Sequence, residues 1–234
     1  MVIDLKDVSF KYENLSIYNN LNLNFKKGIV TVLLGPSGCG KTTLLNLISG
    51  VLHPTSGNIK ISTDLVISYL FQDPRLLPWM SVEENINFVL DNLPQEIKKE
   101  RIEHYINELE LQSFSNYLPS ELSGGMRQRV SLARAFAYPS NILLMDEPFK
   151  GLDLALKVNL FKTFNRVCKE DKRSAILVTH DIHEAILLGD EIIVLSNRPV
   201  SIRQTFTNST PYKQRNLSNQ QLLSLEKELY RLIS

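Results

Sequence analysis

Gly35-Pro36-Ser37-Gly38-Cys39-Gly40-Lys41-Thr42 combines the residue types that grip a polyphosphate. Glycines let the backbone wrap closely, so that successive N–H groups and the start of a helix point at phosphate oxygens. The spacing is the Walker A pattern. It predicts that Lys41 neutralises charge between β- and γ-phosphate and that Thr42 offers a hydroxyl to Mg²⁺. Cys39 fills a position where the backbone does the work, and its thiol is expected to be a bystander. Farther along, the acids Asp146 and Glu147 close the apolar run Ile142 to Met145. Asp146 is placed to organise Mg²⁺ through its hydration shell, and Glu147 to polarise an attacking water. Alone, such a pair reads as a polar strand end; beside a Walker A loop it reads as phosphoryl-transfer chemistry.

His180 ends a third apolar run, Ser174 to Thr179. A lone histidine is more often structural, but its place at the same edge favours a γ-phosphate contact. His183 and Glu184 lie near it in sequence, yet no cysteine or further histidine completes a ligand set, so no metal site is expected there. Gln72, after Val66 to Phe71, has an amide suited both to ligating Mg²⁺ and to sensing the attacking water; by itself it is an ordinary loop residue. In Leu122-Ser123-Gly124-Gly125-Met126-Arg127-Gln128 a serine and two glycines open a helix whose apolar face runs through Val130, Ala133 and Ala137. Free amides and the helix dipole make this a second anion site. One nucleotide already has its cradle at Gly35–Thr42, so the second grip is best explained as acting in trans, on a nucleotide held by another subunit.

These groups need a scaffold that aligns them. Val2 to Phe10 reads as a strand, and Asn19 to Phe25 alternates with Leu21, Leu23 and Phe25 on one face. Ile29 to Leu34 is nearly all apolar, as in a strand buried on both faces of a parallel sheet. A helix pattern follows from Thr42 to Gly50 through Leu44, Leu45, Leu47 and Ile48. Further strand signals fall at Ile142–Met145, Ser174–Thr179 and Glu191–Leu195, and the carboxyl edge of such a sheet is where doubly wound folds bind ligands. Between them the pattern turns helical: Ser81 to Glu84 fits a capping box, and Ile97 to Leu111 is a charged periodic helix. Gln220 to Ile233 reads as a short surface helix. The expected division is a nucleotide-binding core over 1–75 and 139–210, a helical subdomain over 76–138 and a helical tail over 211–234.

Composition narrows the partners. The 234 residues suit one domain with a small inserted lobe, and 43% hydrophobic content suits a folded core. With 26 Lys+Arg against 25 Asp+Glu the chain has no basic footprint, so neither nucleic acid nor an anionic lipid surface is expected as a partner. Cys39 and Cys168 form no disulfide framework. Acid at Asp4 argues against a signal peptide, and no apolar run approaches the roughly 20 residues of a membrane span. The sequons at Asn14, Asn208 and Asn216 therefore read as chance matches. A membrane, if one is involved, has to be supplied by a partner.

Walker A, Gln72, the Leu122–Gln128 signature, Asp146-Glu147, Asp153 and His180, in that order, resemble the ATP-binding cassette (ABC) ATPases over about Val2 to Val200. The resemblance implies an α/β fold: a P-loop NTPase (RecA-like) core with an N-terminal antiparallel β portion and an inserted α-helical subdomain. It implies ATP and Mg²⁺ as cofactors, and a head-to-tail dimer, with a second copy of the chain as partner and two ATPs sandwiched between each Walker A loop and the opposing signature. The nucleotide-contacting set it implies is Gly35, Pro36, Ser37, Gly38, Cys39, Gly40, Lys41, Thr42 and Thr43, with Ser123, Gly124, Gly125, Gln128 and Asp153. Tyr12 matches the aromatic that stacks on adenine, the alternative being a core aromatic at a strand edge.

Phe71-Gln72-Asp73-Pro74-Arg75-Leu76-Leu77-Pro78-Trp79 and Leu195-Ser196-Asn197-Arg198-Pro199 are similar to cassettes of nitrate, sulfonate and taurine importers, and to those for thiamine-pyrimidine precursors. Trp79 reads equally as an anchor of the helical lobe or as a partner contact. Lys150 departs from the small residue usual there, and Val200-Ser201 from the usual Gly-Arg. The implied function is to energise an importer from the cytoplasmic face of the membrane, with transmembrane permease subunits as direct partners and an extracytoplasmic solute-binding protein as an indirect one. Exporters usually fuse their membrane helices to the cassette. DNA-repair or translation ATPases are the alternative class, but they need long coiled coils or tandem cassettes. A kinase or GTPase leaves the signature helix unexplained.

Overall fold

The structure, a computed structural model, describes residues 2–233. The chain opens with β1 (Ile3–Tyr12), β2 (Leu15–Phe25), β3 (Val30–Leu34), α1 (Lys41–Ile48), β4 (Ser56–Ile61) and β5 (Ile67–Leu70). Three helices follow, α2 (Val82–Asn87), α3 (Gln95–Glu108) and α4 (Gly124–Ala137). Then come β6 (Ile142–Asp146), α5 (Leu154–Lys169), β7 (Ser174–Thr179), α6 (Ile182–Leu188), β8 (Glu191–Leu195), β9 (Ile202–Thr207) and α7 (Gln220–Ile233).

The all-apolar runs become the interior of a six-stranded sheet in the order β5-β6-β7-β3-β8-β9, parallel except for β9. Every residue of β3, β6, β7 and β8 is buried, because a parallel sheet is covered on both faces. The pleat sends Leu33 to one side and Val32 and Leu34 to the other. On Leu33's side lie Leu44, Leu45 and Ile48 of α1, and beyond them the antiparallel sheet β2-β1-β4 with Ile3, Leu5 and Phe25. On the opposite side lie Val130 and Ala133 of α4, Phe164 of α5 and Ile186 of α6. Burying each large side chain contributes about 1.5–3 kcal/mol, so both layers press the sheet into one register.

The capping box is present: the Glu84 amide donates to Ser81 Oγ at 3.2 Å and the Ser81 amide to Glu84 Oε2 at 2.7 Å. Asn85, fully buried, ties down the entry to the helical lobe. Its carboxamide accepts from the Leu77 amide at 2.8 Å and donates to the carbonyls of Leu77, Met80 and Ser81. Arg134 of α4 donates to the carbonyls of Pro74 and Arg75. The stretch Pro74–Ser81 is thus fastened at both ends to helices.

Gln220–Ile233 forms the expected helix at the surface, α7, and its inner side is seated by Leu222 and Leu229, which are buried within the main core. The segment leading into α7 is fixed by Arg215, which donates to Asp190 Oδ1 at 2.7 Å, while Lys169 takes Oδ2 at 2.7 Å. Burial pushes the Asp190 carboxyl up, but these cations and the Val30 amide outweigh it and hold it below the usual range. Among the described residues no helix is long and apolar enough to cross a membrane.

Candidate active site

Parallel pairing fixes where the chemistry emerges. Leu34 lies opposite Thr179, and Asp146 opposite Val178, so the carboxyl ends of β3, β6 and β7 open at one edge. The Walker A loop, the two acids and His180 therefore leave the sheet side by side. Between them lies a cleft of about 260 Å³ lined by Lys41, Thr42, Gln72, Asp146, Glu147 and Lys150, together with Ser37, Gly38, Gly40 and Thr43 of the loop.

The loop is braced from several directions. Buried Lys41 curls back so that its ammonium donates to the carbonyls of Gly35 at 2.7 Å and Pro36 at 2.8 Å. Gly40 has φ 137°, and a Cβ there would sit 2.7 Å from Ile17 Cγ2, so glycine is required on both counts. The Tyr18 hydroxyl donates to the Gly40 carbonyl at 2.7 Å, and Arg198 donates to the Gly38 carbonyl. Burial, with Cys39 and Tyr12 adding to it, pushes the Tyr18 phenol up, which keeps it a donor. No side chain caps α1. By contrast Ser123, Asp153 and Asp181 cap α4, α5 and α6. The first-turn amides of α1 have no acceptor within the helix, and they face the cleft beside Lys41 and Thr42.

The adjacent acids live in different surroundings. Asp146 is buried, and burial raises its pKa, with the Thr42 hydroxyl acting against that shift. Its Oδ1 has no hydrogen-bond partner among the described residues. Glu147 sits at φ 46°, in the left-handed region, which costs a non-glycine residue about 1–3 kcal/mol. Its amide donates to the Val178 carbonyl at 2.9 Å, which carries strand pairing one residue past β6 and holds the turn. The side chain is engaged on all sides: His180 Nδ1 lies 3.0 Å from Oε1, Lys150 Nζ 2.7 Å from Oε2, and Gln72 Nε2 donates to Oε2 at 3.4 Å. Burial alone would raise its pKa. Lys150 and His180 overcome that and lower it.

Other expected residues lie outside this cleft. Ser123 Oγ accepts from the Met126 amide at 3.2 Å at the start of α4, beside Gly124 and Gly125. Gln128 is buried and donates to the Pro148 carbonyl at 2.8 Å, so its amide braces α4 against the turn after β6. Asp153 Oδ1 caps α5 by accepting from the Leu156 amide at 2.9 Å. The Cys39 side chain is buried in the core on the α1 side. Tyr12 is 44% exposed and makes a T-shaped contact with Phe10. His183 turns to Glu226 and Glu184 to Thr179 and Lys157, both away from His180. Sequence reasoning passed over Tyr18, because its role depends on a contact 22 residues away. Arg198, in the Leu195–Pro199 stretch, grips the loop through the Gly38 carbonyl.

A strand–loop–helix phosphate cradle with two acids at the next strand end defines a P-loop nucleoside triphosphatase. The ABC transporter family model matches residues 18–150. Relatives include the aliphatic sulfonates import ATP-binding protein SsuB of Bacillus cereus (strain ZK / E33L), 35% identical over 91% of this chain and 88% of its own. The uncharacterized ABC transporter ATP-binding protein YtlC of Bacillus subtilis (strain 168) is 40% identical over 83% of this chain and 78% of its own. Among solved structures the dimeric bacterial ABC transporter cassette MJ0796 superposes with a TM-score of 0.79 at 30% identity, covering 89% of this chain and all of that one. The same cassette in a post-hydrolysis dimer bound to ADP and Pi gives 0.78 at 29% identity. The chain belongs to the ABC transporter family, as one of its ATP-binding and ATP-hydrolysing subunits.

Proposed function

We propose that this subunit energises import of a small organic anion of the sulfonate class, and that the cleft at Lys41 and Glu147 carries its chemistry. The observation behind the site is the meeting of Lys41, Asp146, Glu147 and His180 at one strand edge. The α1 amides and Lys41 bind the phosphates of ATP. Thr42, Gln72 and Asp146 are the residues that would hold Mg²⁺, and the unpartnered buried Oδ1 of Asp146 fits a cation. Such an ion, when bound, supplies charge neutralisation on the phosphates. Glu147 polarises the attacking water and His180 contacts the γ-phosphate. Tyr12 stacks on the adenine.

Ser123, Gly124 and Gly125 serve a nucleotide held by a second copy of the chain, since their helix start lies outside the cleft. The dimeric state of the MJ0796 cassette supports this arrangement. The sulfonate class is supported by relatives of that name at 34–36% identity and by the Phe71–Trp79 stretch. Trp79, 70% exposed, offers a contact for a permease that holds the subunit at the cytoplasmic face and links it to an extracytoplasmic solute-binding protein. The test is uptake of alkanesulfonate by membrane vesicles carrying permease, receptor and this subunit. ATP-dependent uptake is expected, and Glu147→Gln should abolish it while ATP-loaded dimers accumulate on size-exclusion chromatography. Uptake at the wild-type rate in that variant would overturn the assignment of Glu147; uptake of none of the sulfonates would overturn the solute class.

A further inference from the structure

We propose that Lys150 is a positioning residue whose ion pair with Glu147 weakens that carboxylate as a base toward water, making it a brake on hydrolysis. This rests on the reading of Glu147 given above. A turn makes the contact local: the Lys150 amide donates to the Glu147 carbonyl at 3.2 Å, and Gly151 follows at φ 72°. The backbone folds the lysine back over the acid three residues earlier, and Nζ reaches Oε2 at 2.7 Å. Oε1 is already held by His180 at 3.0 Å. With Gln72 also on Oε2 at 3.4 Å, three donors engage a carboxylate that has about four acceptor sites, and the Lys150 ammonium, the nearest of them, draws off the negative charge with which Glu147 would polarise a water.

His180 and Lys150 hold the acid unequally. His180 leaves β7 beside the acid and keeps it aimed into the cleft. Lys150 is 54% exposed while Glu147 is 11% exposed, so the lysine can swing into water with little loss and the carboxylate cannot. Lys150 lines the same cleft as Lys41 and Thr42.

An exposed ion pair of this kind restrains only modestly, so the expected effect is a rise in kcat of about two- to fivefold. Steady-state hydrolysis of Mg·ATP by the full chain tests it, with Lys150→Ser, Lys150→Arg, Glu147→Gln and the Lys150→Ser/Glu147→Gln pair. The expected pattern is raised kcat with unchanged KM for Lys150→Ser, wild-type values for Lys150→Arg, which keeps the charge, and no change from Lys150→Ser once Glu147 is Gln. Unchanged or lowered kcat in Lys150→Ser overturns the brake. So does a changed KM alone, which assigns Lys150 to nucleotide binding, and so does an equal rise in Lys150→Arg. Wild-type turnover in Glu147→Gln strikes instead at the reading of Glu147, which separates the two failures.

Discussion

Two glycine-rich helix starts in this chain obey the same electrostatics and are finished differently. At Gly40-Lys41 no side chain caps α1, and a lysine lies folded against its own loop. At Ser123-Gly124 the serine itself caps α4 through the Met126 amide. Around the first start the chain gathers two acids, Asp146 and Glu147, and Gln72 into one cleft. A hydroxyl that accepts from an amide still has a proton to give. The cap at Ser123 thus orients a donor without consuming it, which suits half of a site completed by another molecule.

The sharpest way to break this comparison is Ser123→Arg. Nucleotide should still bind to a monomer, because the first helix start is untouched, while hydrolysis is abolished as the bulky cation blocks closure. Mixing this variant with Lys41→Ala should restore part of the ATPase activity, since one composite site then pairs an intact loop with an intact signature. Full activity of Ser123→Arg alone would place both halves of the site in one chain. Next in size is Lys41→Ala. It removes a charge-assisted contact of about 1.5–3 kcal/mol, or about one to two decades in Kd by calorimetry; equal affinity would show that the α1 amides suffice. The smallest effect is Ser123→Ala, which should cost about 1 kcal/mol of stability in urea titration through loss of the α4 cap. An unchanged midpoint would mean that the hydroxyl does not cap in solution.

The parts legible in sequence were those set by near neighbours. The Walker A loop, β3, β6, β7 and the capping box at Ser81 each declare themselves within a few residues, and each stands where the pattern put it. β4 was missed because Ser56–Ile61 is almost wholly exposed and carries no strong alternation. The bracing contact of Gln128 was not legible because its partner, the Pro148 carbonyl, is brought to it only by the fold. The tail was legible as a helix, but not its seating: Leu222 and Leu229 look incidental until β8 and α6 offer them a surface. Lys150 stood out as unusual, but only the turn that folds it onto Glu147 gives it a role.

The fastening of Pro74–Ser81 has a mechanical consequence. Asn85 grips this stretch from α2 and Arg134 grips it from α4, so it has little slack to absorb a displacement imposed at Trp79. A load there meets α2 at one end, and at the other reaches Pro74 and Arg75, where Arg134 of α4 holds the chain next to the segment carrying Gln72, the donor to Glu147. The short stretch forms a strut between the surface at Trp79 and the cleft at Glu147.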